Sequence, residues 1–180
     1  MKCSVLIIVF TVMLSGCTSC GSSGSPDDFV EREPAVDVES AITISQLMDM
    51  ASDNVGEEVI IEGVITHVCR HSGKRCFIND TSTDTSIRVE AKGNIGGFYS
   101  ELKGNKVVIK GSINENRLSE EYIDEWEQKT LEEQQQAEVD QNQCSAELAN
   151  IEQMRNWMAA NDKNFYSVFF IEGVDYEIVE

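Results

Sequence analysis

Several patterns are scarce or missing in this 180-residue chain, and each scarcity removes a class of function. Basic side chains are few: 14 Lys and Arg stand against 32 Asp and Glu, a formal net charge of −18. A chain this acidic is repelled by phosphate backbones and by anionic lipid, which disfavours nucleic acid as a partner. No internal repeat is visible, so solenoids and propellers are not expected. There is no phosphate-cradling Gly-rich loop, no dinucleotide fingerprint, no HExxH and no GxSxG. Apart from Val5–Leu14 there is no long apolar run, and that one, about ten residues broken by Thr11, falls short of the ~20 residues that span a bilayer. The chain has only 2 histidines, His67 and His71. No third group stands ready to orient a Cys–His pair, and the many carboxylates fall on helical segments where they read as solvated faces. A non-enzymatic protein is the expectation.

The first residues, MKCSVLIIVFTVMLSGC, show a positive Lys2, the apolar run, and then Leu14-Ser15-Gly16-Cys17. An aliphatic residue, two small residues and a cysteine resemble the lipobox of bacterial lipoproteins; the alternative is an ordinary secretory signal with a chance cysteine. The resemblance implies a signal peptide over residues 1–16, diacylglycerol on the Cys17 sulfur, and acylation of the new amino terminus. Membrane lipid is then a partner through Cys17, and the location is the bacterial cell envelope. Thr18 stands where an aspartate would mark inner-membrane retention, which points to the outer membrane. Residues 17–40, opening Cys-Thr-Ser-Cys20-Gly-Ser-Ser-Gly-Ser-Pro-Asp-Asp, read as a flexible acidic tether.

Residues 41–116 have the patterning of a small domain. Thr43 with Gln46 fits a capping box, and Ile42 with Leu47 a hydrophobic staple, opening a helix over residues 42–52. Glu58–His71 reads as one long strand with a bulge or bend at Gly63. Ser72-Gly73-Lys74 is a turn, Arg75–Asn79 the returning strand, and Asp80–Thr85 a polar loop. Ser86–Ala91 alternates strictly, Asn94–Leu102 suits a short helix weakened by Gly96 and Gly97, and Lys106–Ser112 is a further strand. Residues 117–180 read as a helical extension. One apolar stripe holds Leu118, Tyr122, Ile123 and Trp126, and a second holds Leu148, Ile151, Met154, Trp157 and Met158. A terminal strand or hairpin follows at Tyr166–Ile171 and Val174–Val179.

This order, with VGEEVIIEGVITHV and KGNKVVIKGSI as strands carrying an internal glycine, resembles the OB-fold, a small Greek-key barrel that binds oligonucleotides, oligosaccharides or proteins. It is also similar to exported lipoproteins with an OB-like domain. The expected class is α+β: a small OB-like barrel, a C-terminal helical segment packed on it, and a terminal strand or hairpin. The fifth barrel strand is not obvious; Ser112–Arg117 is short and polar, so the C-terminus is a source for it. The resemblance implies a binding or interaction module with a protein or small-ligand partner. Stacking on strand faces needs exposed aromatics there, and Phe77 is nearly the only candidate.

Chemistry concentrates in His67-Val-Cys69-Arg-His71-Ser-Gly-Lys-Arg-Cys76. Alternation along a strand puts His67, Cys69 and His71 on one face. With a two-residue turn Cys76 returns to that face; with a three-residue loop it is flipped away. Three readings stay open. One is a Cys69–Cys76 disulfide in an oxidising compartment. The second is a metal site, zinc or else copper, on Cys69, His71 and Cys76, with Cys144, water or, across a bulge, His67 as fourth ligand, or thiol-redox chemistry on the same residues. The third is exposed histidines and thiols with no role. Residues 58–112 carry eight bases against six acids, so a local basic face for an anion or for the acidic tail is a further option.

Overall fold

The computed structural model describes residues 36–135 and 140–179. The residues expected to form a signal peptide, Cys17, Cys20 and most of the expected tether lie outside the described residues. Of the tether's end, Val36 is buried and Val38–Ser40 makes one 3-10 turn, so these residues belong to the folded unit.

Six strands and three α-helices follow in order: β1 (Ile42–Thr43), α1 (Ile44–Met50), β2 (Glu58–Val68), β3 (Arg75–Asn79), β4 (Ser86–Ala91), β5 (Lys106–Ser119), α2 (Glu120–Gln134), α3 (Gln141–Ala160) and β6 (Phe165–Val179). Strands β2, β3, β4, β6 and β5 form a closed ring, because β5 pairs with β6 on one side and with β2 on the other. All contacts are antiparallel except β4–β6, and β1 adds a short parallel pairing to β2. The protein is thus α+β, with a closed five-stranded barrel of the expected OB-like kind, C-terminal helices and a terminal strand. The missing fifth strand is β6, supplied by the C-terminus.

Alternation fills the barrel. Val59, Ile61 and Ile65 of β2, Cys76 and Ile78 of β3, Ile87 and Val89 of β4, Val107, Ile109 and Ile113 of β5, and Ile171 of β6 all point inward. Helix α1 plugs one end with Ile44 and Leu47. Its capping box is present as read: Gln46 N–H donates to Thr43 Oγ1, and Thr43 N–H donates to Gln46 Oε1. Buried Asp80 ties the β3–β4 loop to that helix, accepting from the N–H and hydroxyl of Ser45 and of Ser82 at 2.8–3.0 Å.

Three local expectations are corrected. The residues 94–102 hold only a 3-10 turn, Ser100–Leu102, since Gly96 and Gly97 lack the side chains and the stiffness a helix needs. Strand β5 does not end at Ser112. It runs on to Ser119 because β6 pairs with it throughout, from Lys106↔Val179 to Ser119↔Phe165. Tertiary pairing overrides the polar composition of Asn114–Arg117. The bulge lies at Thr66, not at Gly63. Gly63 is instead a close approach, where a Cβ would come within 2.7 Å of the Asn79 carbonyl oxygen.

The outer half of the β5–β6 ribbon carries the helical pair. Ile123, Ile151 and Met158 form a second core with Leu118, Trp126, Met154 and Tyr166. Among the described residues no helix is long and apolar enough to cross a membrane.

Candidate functional site

The bulge decides the hairpin's chemistry. Ile65 pairs with Ile78 and His67 with Phe77, leaving Thr66 as one extra residue on β2. Thr66 and His67 are both exposed, and alternation resumes out of phase. Val68 therefore turns inward opposite Cys76. Cys69 stands outward opposite Arg75, whose carbonyl accepts its N–H at 2.9 Å. The strand expected to reach His71 ends at Val68, and the loop between Cys69 and Arg75 has five residues, Arg70–Lys74, where two or three were expected.

As a result Cys69 and Cys76 lie on opposite faces of the sheet, and both are free thiols. The structure forms no Cys69–Cys76 disulfide. Cys69 and His71 line the hairpin cavity, while Cys76 is buried in the barrel core. His67 packs edge-on against the Phe77 ring, centroids 6.0 Å apart. Cys144 is buried on α3 in the helical part. Among the described residues no three His, Cys, Asp or Glu side chains gather as a metal site.

The two thiols also differ electrostatically. Burial pushes Cys76 up to about 12, which keeps it protonated and inert. Cys69 is held below the ordinary thiol value, first by the Ser72 hydroxyl, whose Oγ lies 3.7 Å from the sulfur, then by the Ser72 and His71 amides, with Arg75 adding a small favourable field. Cys69 lines an open cavity of about 530 Å³ between the hairpin loop and the residues 96–101, with Arg70 and His71 among its walls. The two loops are tied by Phe98 N–H donating to the Gly73 carbonyl, with Gly73 in the left-handed region at φ 59°.

A second arrangement crosses the outside of the barrel. Cα pairing aligns His67 with Phe77, Phe77 with Arg88, Arg88 with Phe170, and Phe170 with Asn114, one row over five strands. These side chains alternate with inward Cys76, Ile78, Ile87, Val89 and Ile171, so they face out together. The Arg88 guanidinium carbon lies over the Phe170 ring, 4.6 Å from its centroid. One strand position along, Glu90 accepts from Arg75 at 3.0 Å and stands 3.5 Å from Arg88 Nε. Lys92 pairs with Glu172 at 3.6 Å. On this face two carboxylates, Glu90 and Glu172, stand beside three cations, Arg75, Arg88 and Lys92.

Of this row the sequence reading identified His67 and Phe77. It placed Arg88 only among the bases of a candidate anion-binding face and did not single out Phe170. The strict alternation of Ser86–Ala91 already put Arg88 outward, but nothing local brings Phe170 beside it; that needs the parallel β4–β6 register. No protein-family model matches the chain, and no curated protein matches it in sequence.

Proposed function

We propose that this protein is a lipid-anchored envelope lipoprotein whose OB-like barrel is a non-enzymatic binding module. Its ligand is an uncharged oligosaccharide, taken on the outer face of β3, β4 and β6. The row His67–Phe77–Arg88–Phe170 is the observation that carries this reading. Phe77 offers an apolar ring for the C–H face of a sugar. Arg88, seated over Phe170, offers N–H donors, and Glu90 and Asn114 offer acceptors and donors for hydroxyls. Phe77 and Phe170 stand two strands apart, about 10 Å, close to the span from one ring to the next but one in an extended glycan. Charge chooses among ligands: Glu90 and Glu172 stand among the cations of this face, and carboxylates there oppose a polyphosphate. The lipobox supports anchoring through Cys17 and an outer-membrane address.

The test is calorimetric titration of the chain with neutral oligosaccharides and, separately, with single-stranded oligonucleotides. Saccharide binding that weakens roughly tenfold in Phe77→Ala and in Phe170→Ala, with little salt dependence, is the expected result. Salt-sensitive oligonucleotide binding, or saccharide binding indifferent to both variants, overturns the reading. A second reading, thiol chemistry in the hairpin cavity, rests on Cys69 alone and is favoured by its lowered pKa.

A further inference from the structure

The helical pair is outside the barrel and has an open side. Asp124 and Glu127 of α2 hold Arg155 of α3, and Trp126 and Thr130 bond to Glu147, so the helices run antiparallel. One side of their seam, Ile123, Ile151 and Met158, is closed by the β5–β6 ribbon. Leu131, Leu148 and Ala149 line an open groove of about 490 Å³ elsewhere on the pair, rimmed by Glu127, Glu152 and Ser145. Beyond Arg155 a smaller hollow of about 210 Å³ is lined by Ile123, Met158 and Ala159, with Glu120 and Lys163 also on its wall. Arg155 crosses between the two, bound to Asp124 at 2.8 Å and Glu127 at 2.6 Å.

We infer that this seam is a docking groove for a basic amphipathic helix of a partner protein. Two helices with an apolar trough between them have the shape of a three-helix packing that lacks one member, and a third helix seats at 8–10 Å from each. Charge selects the occupant. Helices α2 and α3 carry nine acids and two bases, Lys129 and Arg155, and Arg155 is already paired. A second copy would set one acidic seam against another, and nucleic acid or anionic lipid would be repelled likewise. A helix with leucine-like residues at i, i+3, i+4 and i+7, flanked by Lys or Arg, satisfies trough and rim together.

The experiment titrates the full chain with a synthetic Leu/Lys peptide of that spacing and with the same peptide bearing Glu for Lys, followed by NMR shift mapping and calorimetry. The Lys peptide is expected to bind along α2 and α3, more weakly as salt rises, and the Glu peptide not at all. Leu131 is 43% exposed, so Leu131→Glu should fold, and Leu131→Ser is a second variant. Leu131→Glu makes the rim more acidic, so attraction by charge alone would tighten binding. The groove reading requires at least about a tenfold loss instead. Unchanged or tighter binding in that variant, equal binding of the Glu peptide, shifts confined to the barrel, or a dimer of the chain that Leu131→Glu dissolves would each overturn it.

Discussion

Replacing Cys76 and Cys69 separately by serine tests the out-of-phase hairpin directly. Cys76 is fully buried, with Val89 and Val68 as its cross-strand partners on β4 and β2. A serine there sets a hydroxyl among apolar groups, a change that costs roughly 1–3 kcal/mol in proteins. With a urea dependence of about 1–3 kcal/mol per molar, the midpoint of Cys76→Ser should fall by the order of 1 M. Cys69 is on the outer face, so Cys69→Ser should stay within about 0.5 kcal/mol of the parent. A disulfide or shared ion predicts something different: both single variants lose the same amount, the double variant loses no more than either, and reductant or chelator lowers the parent to meet them. Equilibrium urea unfolding of the parent, the two single variants and the double variant, with and without reductant, decides it. Equal losses in the two single variants would refute the opposite-face geometry.

Two further outcomes follow from the titrating groups. Asp80 is held well below the usual carboxylate range, first by the Ser82 and Ser45 amides and then by the Ser82 hydroxyl, with burial opposing and the Ser45 hydroxyl adding least. A depressed folded-state pKa means its stabilising contribution is complete above the ordinary carboxylate range and is lost as pH falls toward the folded value. Asp80→Asn should therefore be less stable than the parent at neutral pH, with the gap closing on acidification; a gap that is constant or widens in acid would contradict this. In thiol labelling of the folded protein, Cys69 should reach its full rate at lower pH than an ordinary thiol, and Ser72→Ala should move that profile upward, while Cys76 stays unlabelled until unfolding. Labelling of Cys76 at a rate near that of Cys69 would sink the distinction.

Local signals were legible where the local chain decides the outcome. Thr43 and Gln46 meet within one helical turn, so the capping box could be read from spacing alone. Strand β4 was readable because strict alternation has one burial solution. Alternation also supplied the inward core and put Arg88 outward. Tertiary structure alone decided the rest. One extra residue at Thr66 inverted the phase of everything after it, parting Cys69 from Cys76; a bulge depends on the fit between two strands, which neither strand encodes by itself. The polar segment Asn114–Ser119 became strand only because β6 arrives from some fifty residues further on to pair with it. The same arrival closes the barrel and sets Phe170 beside Arg88, so the row from His67 to Phe170 forms only when non-local pairing aligns the strands.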